Sequence, residues 1–160
     1  MIRDAFAKAT GVQLLDDPTL THLYGLPILL SHGDMLCTDD VQYMAFREKV
    51  RQPVWQDAFL SQTLAQRQAF IHQARAQSET EKSTKIASIM DVNTQALAKL
   101  MQAFQYPSVL IHGHTHRPNH HVHSVDGYAF DRYVLGDWYE QGSYLRLQAD
   151  GTIMAETIVV

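Results

Sequence analysis

Cysteine is almost missing: Cys37 is the only one in 160 residues. No internal disulfide can form, and the composition fits a reducing compartment. The plain role for such a residue is a small buried hydrophobe. No apolar run approaches the roughly 20 residues that cross a bilayer. The opening Met1-Ile2-Arg3-Asp4-Ala5 lacks the basic-then-apolar order of a secretory signal. Glycine does not occur between residues 41 and 104, and Pro53 is the only proline there. That excludes a loop-rich or β-hairpin segment and leaves helix as the expectation. Only 19% of residues are charged while 46% are apolar, which excludes wholesale disorder. The length fits one domain, without repeats, linkers or low-complexity segments.

The formal net charge is −4, unevenly spread. Residues 41–90 hold Arg47, Lys49, Arg51, Arg67, Arg75, Lys82 and Lys85 against Glu48, Asp57, Glu79 and Glu81. A basic segment on an acidic body points to an anionic ligand or membrane surface, or to a solvated helical face. Nothing in this balance points to nucleic acid.

Patterning predicts a short helix over residues 2–10, stopped by Gly11, and a strand over Val12–Leu15. Strands over Thr19–Tyr24 and Leu26–Ser31 are expected to meet at Gly25, the second of them covered on both faces. Pro53 is placed to start a helix. Phe46, Val50, Val54, Trp55, Phe59, Leu60, Phe70 and Ile71 make an apolar stretch that either packs internally or lines a lid for an acyl chain. A later helix is expected through Ile86, Ile89, Met90, Ala96, Leu97, Leu100, Met101 and Phe104. Asp126-Gly127 and Asp150-Gly151 predict two hairpins, His120–Leu135 and Ser143–Ile158. Strands, a helical block and terminal hairpins together predict an α/β (α+β layered) domain.

The strongest chemical signal is Leu110-Ile111-His112-Gly113-His114-Thr115-His116-Arg117-Pro118. In an extended segment, residues i and i+2 project to one side, so His114 and His116 can share a pocket. His112 is out of phase and is expected to face the other way. A second apolar strand delivers His32-Gly33-Asp34. Glycines beside the histidines mark sharp turns or close backbone approach. Three imidazoles at two strand ends suit a divalent cation, although a strand-end imidazole often serves only to bond a carbonyl. His120, His121 and His123 read as an exposed hairpin strand.

The strings His32-Gly33-Asp34-x-Leu36-Cys37-Thr38-Asp39-Asp40 and Gly113-His114-Thr115-His116-Arg117-Pro118 occur in order, with Ser83-x-Lys85 and Ile89-Met90-Asp91-Val92-Asn93 between them. Together they resemble the UDP-2,3-diacylglucosamine hydrolase family of calcineurin-like metallophosphoesterases. The resemblance covers all 160 residues but only the C-terminal two thirds of the family's usual chain. The D-x-H, first G-D and G-N-[HR]-D elements have no counterpart, as expected for a late-placed start or a fragment.

That resemblance implies a single incomplete domain over 1–160: a partial metallophosphoesterase β-sandwich with a helical cap insertion at about 41–90. It implies hydrolysis of the pyrophosphate in UDP-2,3-diacylglucosamine to lipid X and UMP, on two Mn²⁺ ions. The implied metal ligands are His32, His114 and His116. The implied substrate contacts are Asp40, Ser78, Lys82, Lys85 and His114. No catalytic residue is assignable. Three neutral imidazoles cannot balance two divalent ions, so at most one ion is expected here, with Asp34 orienting His32. Asp39 and Asp40 could instead cap the helix beginning near Val41. Peripheral attachment to the cytoplasmic face of a bacterial inner membrane is implied as well. The alternatives are another superfamily enzyme acting on nucleotide phosphodiesters, or a non-catalytic remnant.

Overall fold

The computed structural model describes residues 4–84 and 90–159. Helix α1 (Asp4–Thr10) ends at Gly11, which takes a φ of +74°. Strands β1 (Thr19–Leu23) and β2 (Leu26–Ser31) form an antiparallel hairpin. Its two turn residues, Tyr24 and Gly25, have φ of 52° and 80°, the pair of positive values that matches strand twist in a tight turn. Four helices follow: α2 (Val41–Arg51), α3 (Pro53–Leu60), α4 (Leu64–Thr84) and α5 (Thr94–Ala103). Pro53 opens α3, where its missing N–H costs no hydrogen bond. The chain then returns to β structure: β3 (Val109–His112), β4 (Asn119–Val125), β5 (Tyr128–Val134), β6 (Gln141–Leu147) and β7 (Ile153–Val159).

β1 to β5 make one mixed sheet in the order β1-β2-β3-β5-β4, and β6 pairs with β7 alone. β3 lies parallel to both β2 and β5, while the two hairpins close the sheet at its edges. The parallel step from β2 to β3 needs a long crossover, which the helical block supplies. The two Asp-Gly hairpins form as expected. Asp126 and Gly127 both take positive φ, whereas at the second turn only Gly151 does, as in a three-residue loop.

The chain divides into two compact units. One runs to Asp34 and resumes at Ala98, and it contains both sheets. Its core is Ile28, Leu29, Leu100, Met101, Val109, Leu110, Phe130 and Val134. The central strands β2 and β3 are apolar because they are covered on both faces. The other unit is Met35–Leu97, with Leu36, Cys37 and Leu97 buried. Within it, Trp55, Phe59 and Phe70 meet with ring centroids 5.1–5.6 Å apart. Phe46, Val54 and Ile71 stay exposed. The apolar stretch is therefore divided between a small aromatic cluster and solvent-facing side chains.

Two expectations are corrected. Val12–Leu15 is not a strand; Val12, Leu14 and Leu15 are exposed, and β1 pairs only with β2, so no ladder is offered to this segment. The later helix does not include Met90–Asn93. It starts at Thr94 because the Asn93 side-chain oxygen accepts the N–H groups of Gln95 (2.9 Å) and Ala96 (3.0 Å). Ile86 and Ile89 lie outside the described residues.

Candidate active site

Two adjacent parallel strands fix the site. Ser31 at the end of β2 is in register with His112 at the end of β3. The residues that follow leave the sheet side by side at its carboxyl edge, a common place for ligands in parallel sheets. One further backbone bond joins them: Gly113 N–H donates to the His32 carbonyl at 3.1 Å. The His32 and His114 rings consequently sit with centroids 5.2 Å apart. Asp34, only 2% exposed, places Oδ1 3.4 Å from His32 Nδ1. Asp17 steadies the same loop, accepting from Ser31 Oγ at 2.8 Å and from His32 N–H at 3.0 Å.

The backbone of the H-x-H segment is not extended. His114 and His116 take φ of 62° and 51°, in the left-handed region that side-chain-bearing residues seldom adopt. Same-side projection of i and i+2 therefore does not apply. His116 is exposed and lines a cavity of about 180 Å³ with Pro118, Val134, Ser143, Tyr144 and Glu156, a lining that includes neither His32 nor His114. Among the described residues, no group of three or more His, Cys, Asp or Glu side chains converges as a metal cage. The donors present do not fit a resident two-ion centre. They make a pair of imidazoles with one buried carboxylate against His32. Between the two left-handed histidines, Thr115 Oγ1 is buried without a hydrogen-bond partner among the described residues.

Of the expected substrate contacts, Asp40, Ser78 and Lys82 fall in the other unit. Asp40 is the N-cap of α2, and its Oδ1 accepts Tyr43 N–H at 3.0 Å. Asp39 accepts from Asn93 Nδ2 at 2.9 and 3.1 Å. Ser78 is exposed on α4. Lys82 falls within α4, and Lys85 lies outside the described residues.

Sequence reasoning missed the neighbours of this site. His112, read only as facing away, is 0% exposed. Its Nε2 lies 3.0 Å from Arg132 Nη1, and Arg132 is itself buried. Arg132 Nε donates to His123 Nε2 at 3.0 Å. Burial, then Arg132, then His121 hold the His123 pKa below the ordinary imidazole value. The one available signal was Gly33: a Cβ there would meet His112 Nδ1 at 2.6 Å.

No protein-family model matches the chain. Curated proteins do. It is 49% identical over 155 residues to a UDP-2,3-diacylglucosamine hydrolase of Aromatoleum aromaticum, covering 97% of this chain and 63% of that protein. It is 46% identical over 162 residues to the protein of that name from Xanthomonas campestris pv. campestris strain B100, covering 98% and 66%. Among solved structures, Vps29 complexed with Zn²⁺ from Entamoeba histolytica is similar at a TM-score of 0.35 and 14% identity, over 92% of this chain and 63% of that one. The chain spans 63–66% of the length of these curated relatives, and with 46–49% identity along nearly all of its own length it belongs to the UDP-2,3-diacylglucosamine hydrolase family.

Proposed function

We propose that this chain supplies the histidine face of an enzyme that hydrolyses the pyrophosphate of UDP-2,3-diacylglucosamine to lipid X and UMP. The observation that carries the reading is the identity to proteins of that name over 97–98% of the chain. The pairing of His32 with His114 at the ends of two parallel strands is the matching structural feature. The reading makes the chain part of a metallophosphoesterase domain of the calcineurin-like kind. Mn²⁺ is the ion it takes, at most one per chain, with His32 and His114 among its ligands. The reading also attaches the helical unit to an anionic membrane surface at the cytoplasmic face of the inner membrane. Lys49 and Arg51 near exposed Phe46 on α2 support this, since basic and apolar side chains together favour such surfaces.

Purified chain incubated with Mn²⁺ and UDP-2,3-diacylglucosamine tests the reading through UMP release. Turnover that disappears in His114→Ala supports it. A second reading is a chain that binds without turnover, since among the described residues no three His, Cys, Asp or Glu side chains group as a metal cage. Substrate binding with no UMP released would select it. Hydrolysis of small phosphodiesters alone would favour a different superfamily activity.

A further inference from the structure

His112 is the one imidazole in the β3 segment that is fully buried, and it touches both loops of the site. An arginine side chain has donors only. The His112 nitrogen facing Arg132 Nη1 at 3.0 Å, Nε2, must therefore present its lone pair. The proton then sits on Nδ1, which donates to the Gly113 carbonyl at 3.0 Å. This assignment satisfies both ring nitrogens at once. The same ring lies against Gly33: a Cβ built there would meet Nδ1 at 2.6 Å and the His112 Cβ and Cγ at 3.1 Å. Gly33 and Gly113 immediately flank His32 and His114. The Leu135 N–H binds the His112 carbonyl at 2.8 Å, so the backbone beneath the ring is fixed as well.

We propose that His112 is a positioning residue: its ring, held by Arg132 as the Nδ1–H tautomer, braces the Gly33 and Gly113 backbones and so sets the spacing of His32 and His114. Arg132 is in turn aimed by its second bond, to His123 Nε2. The chain from His123 through Arg132 to His112 runs across β4, β5 and β3 into the two loops. This inference rests on the reading that His32 and His114 belong to one site, but it concerns their placement and not turnover.

Nuclear magnetic resonance on the intact ¹⁵N-labelled chain tests it. Ring nitrogen shifts should identify His112 as the Nδ1–H tautomer, and ring protons of His32 and His114 should show a mutual Overhauser effect. His112→Leu should abolish that effect. His112→Asn, whose amide can still donate to the Gly113 carbonyl, should restore it. Leu100→Ala, a core truncation away from the network, should weaken the fold and leave the effect intact. An Nε2–H tautomer in the unsubstituted protein would overturn the proposal without recourse to any variant. So would a folded His112→Leu that keeps the Overhauser effect. Absence of UMP release, measured separately, would count against the functional reading and leave these spectra to decide the positioning role.

Discussion

Alanine at Gly33 is the sharpest test of the packing that holds the site together. Gly33 is buried, takes φ of +98°, and has the His112 ring where a Cβ would go, 2.6 Å from Nδ1. Two penalties combine. A left-handed backbone costs an L residue about 1–2 kcal/mol. Forcing extra atoms into a close-packed site costs about 1–3 kcal/mol more. The expected loss is roughly 2–5 kcal/mol, a large share of the about 5–15 kcal/mol typical of a folded domain. The ring cannot simply swing away, because Arg132 and the Gly113 carbonyl hold its two nitrogens. Gly127→Ala is the matched control: its φ is +83°, but nothing lies within 4 Å of the added Cβ. It should show the backbone part alone. Denaturant midpoints with unchanged slopes give both values. In a His112→Ala background the ring contact at 2.6 Å is gone and only the His112 Cβ, 3.1 Å away, remains, so Gly33→Ala should cost little more than the backbone part, a coupling of about 1–3 kcal/mol. The reasoning fails if Gly33→Ala is no worse than Gly127→Ala, or if its cost is the same with and without the ring.

Three further outcomes are expected. Asp40→Ala should destabilise the helical unit by about 1 kcal/mol through loss of the α2 cap, while Asp40→Ser keeps the cap; far-ultraviolet circular dichroism during urea unfolding separates the two. Asn93→Ala removes the α5 cap and the bond to Asp39 together, and should cost at least as much as Asp40→Ala in the same assay. His123 titrates below its ordinary value of 6.5 in the folded protein. As pH falls below that value the unfolded chain binds the proton first, so stability present above about 6.5 declines toward the lowered folded value. His123→Gln, which cannot titrate, should flatten that part of the pH–stability curve; an unchanged slope would refute the assignment.

Local chemistry was readable from the residues alone wherever one short segment decides its own shape. Asp126-Gly127 and Tyr24-Gly25 make tight turns because their positive φ matches strand twist, and Pro53 starts α3 because its ring suits a helix start and lacks only a spare N–H. The continuously apolar β2 and β3 announced two-sided burial, and the helical composition of 41–104 announced α2 to α5. Val12–Leu15 shows the limit: an apolar pattern makes a strand only when a neighbouring backbone completes its ladder, and none does. The His114-Thr115-His116 spacing shows the same limit at the site, since left-handed φ at both histidines, set by how the loop leaves β3, replaces the extended geometry the spacing assumed. The residue order supplies the side chains available to the site: His32, Asp34, His114 and His116 beside glycines. Folding in three dimensions is what makes His32 and His114 meet, lets His116 line another cavity, and stands His112 and Arg132 behind the pair. These meetings join residues from 20 to about 80 positions apart in the chain, and only the parallel register of β2, β3 and β5 brings them together.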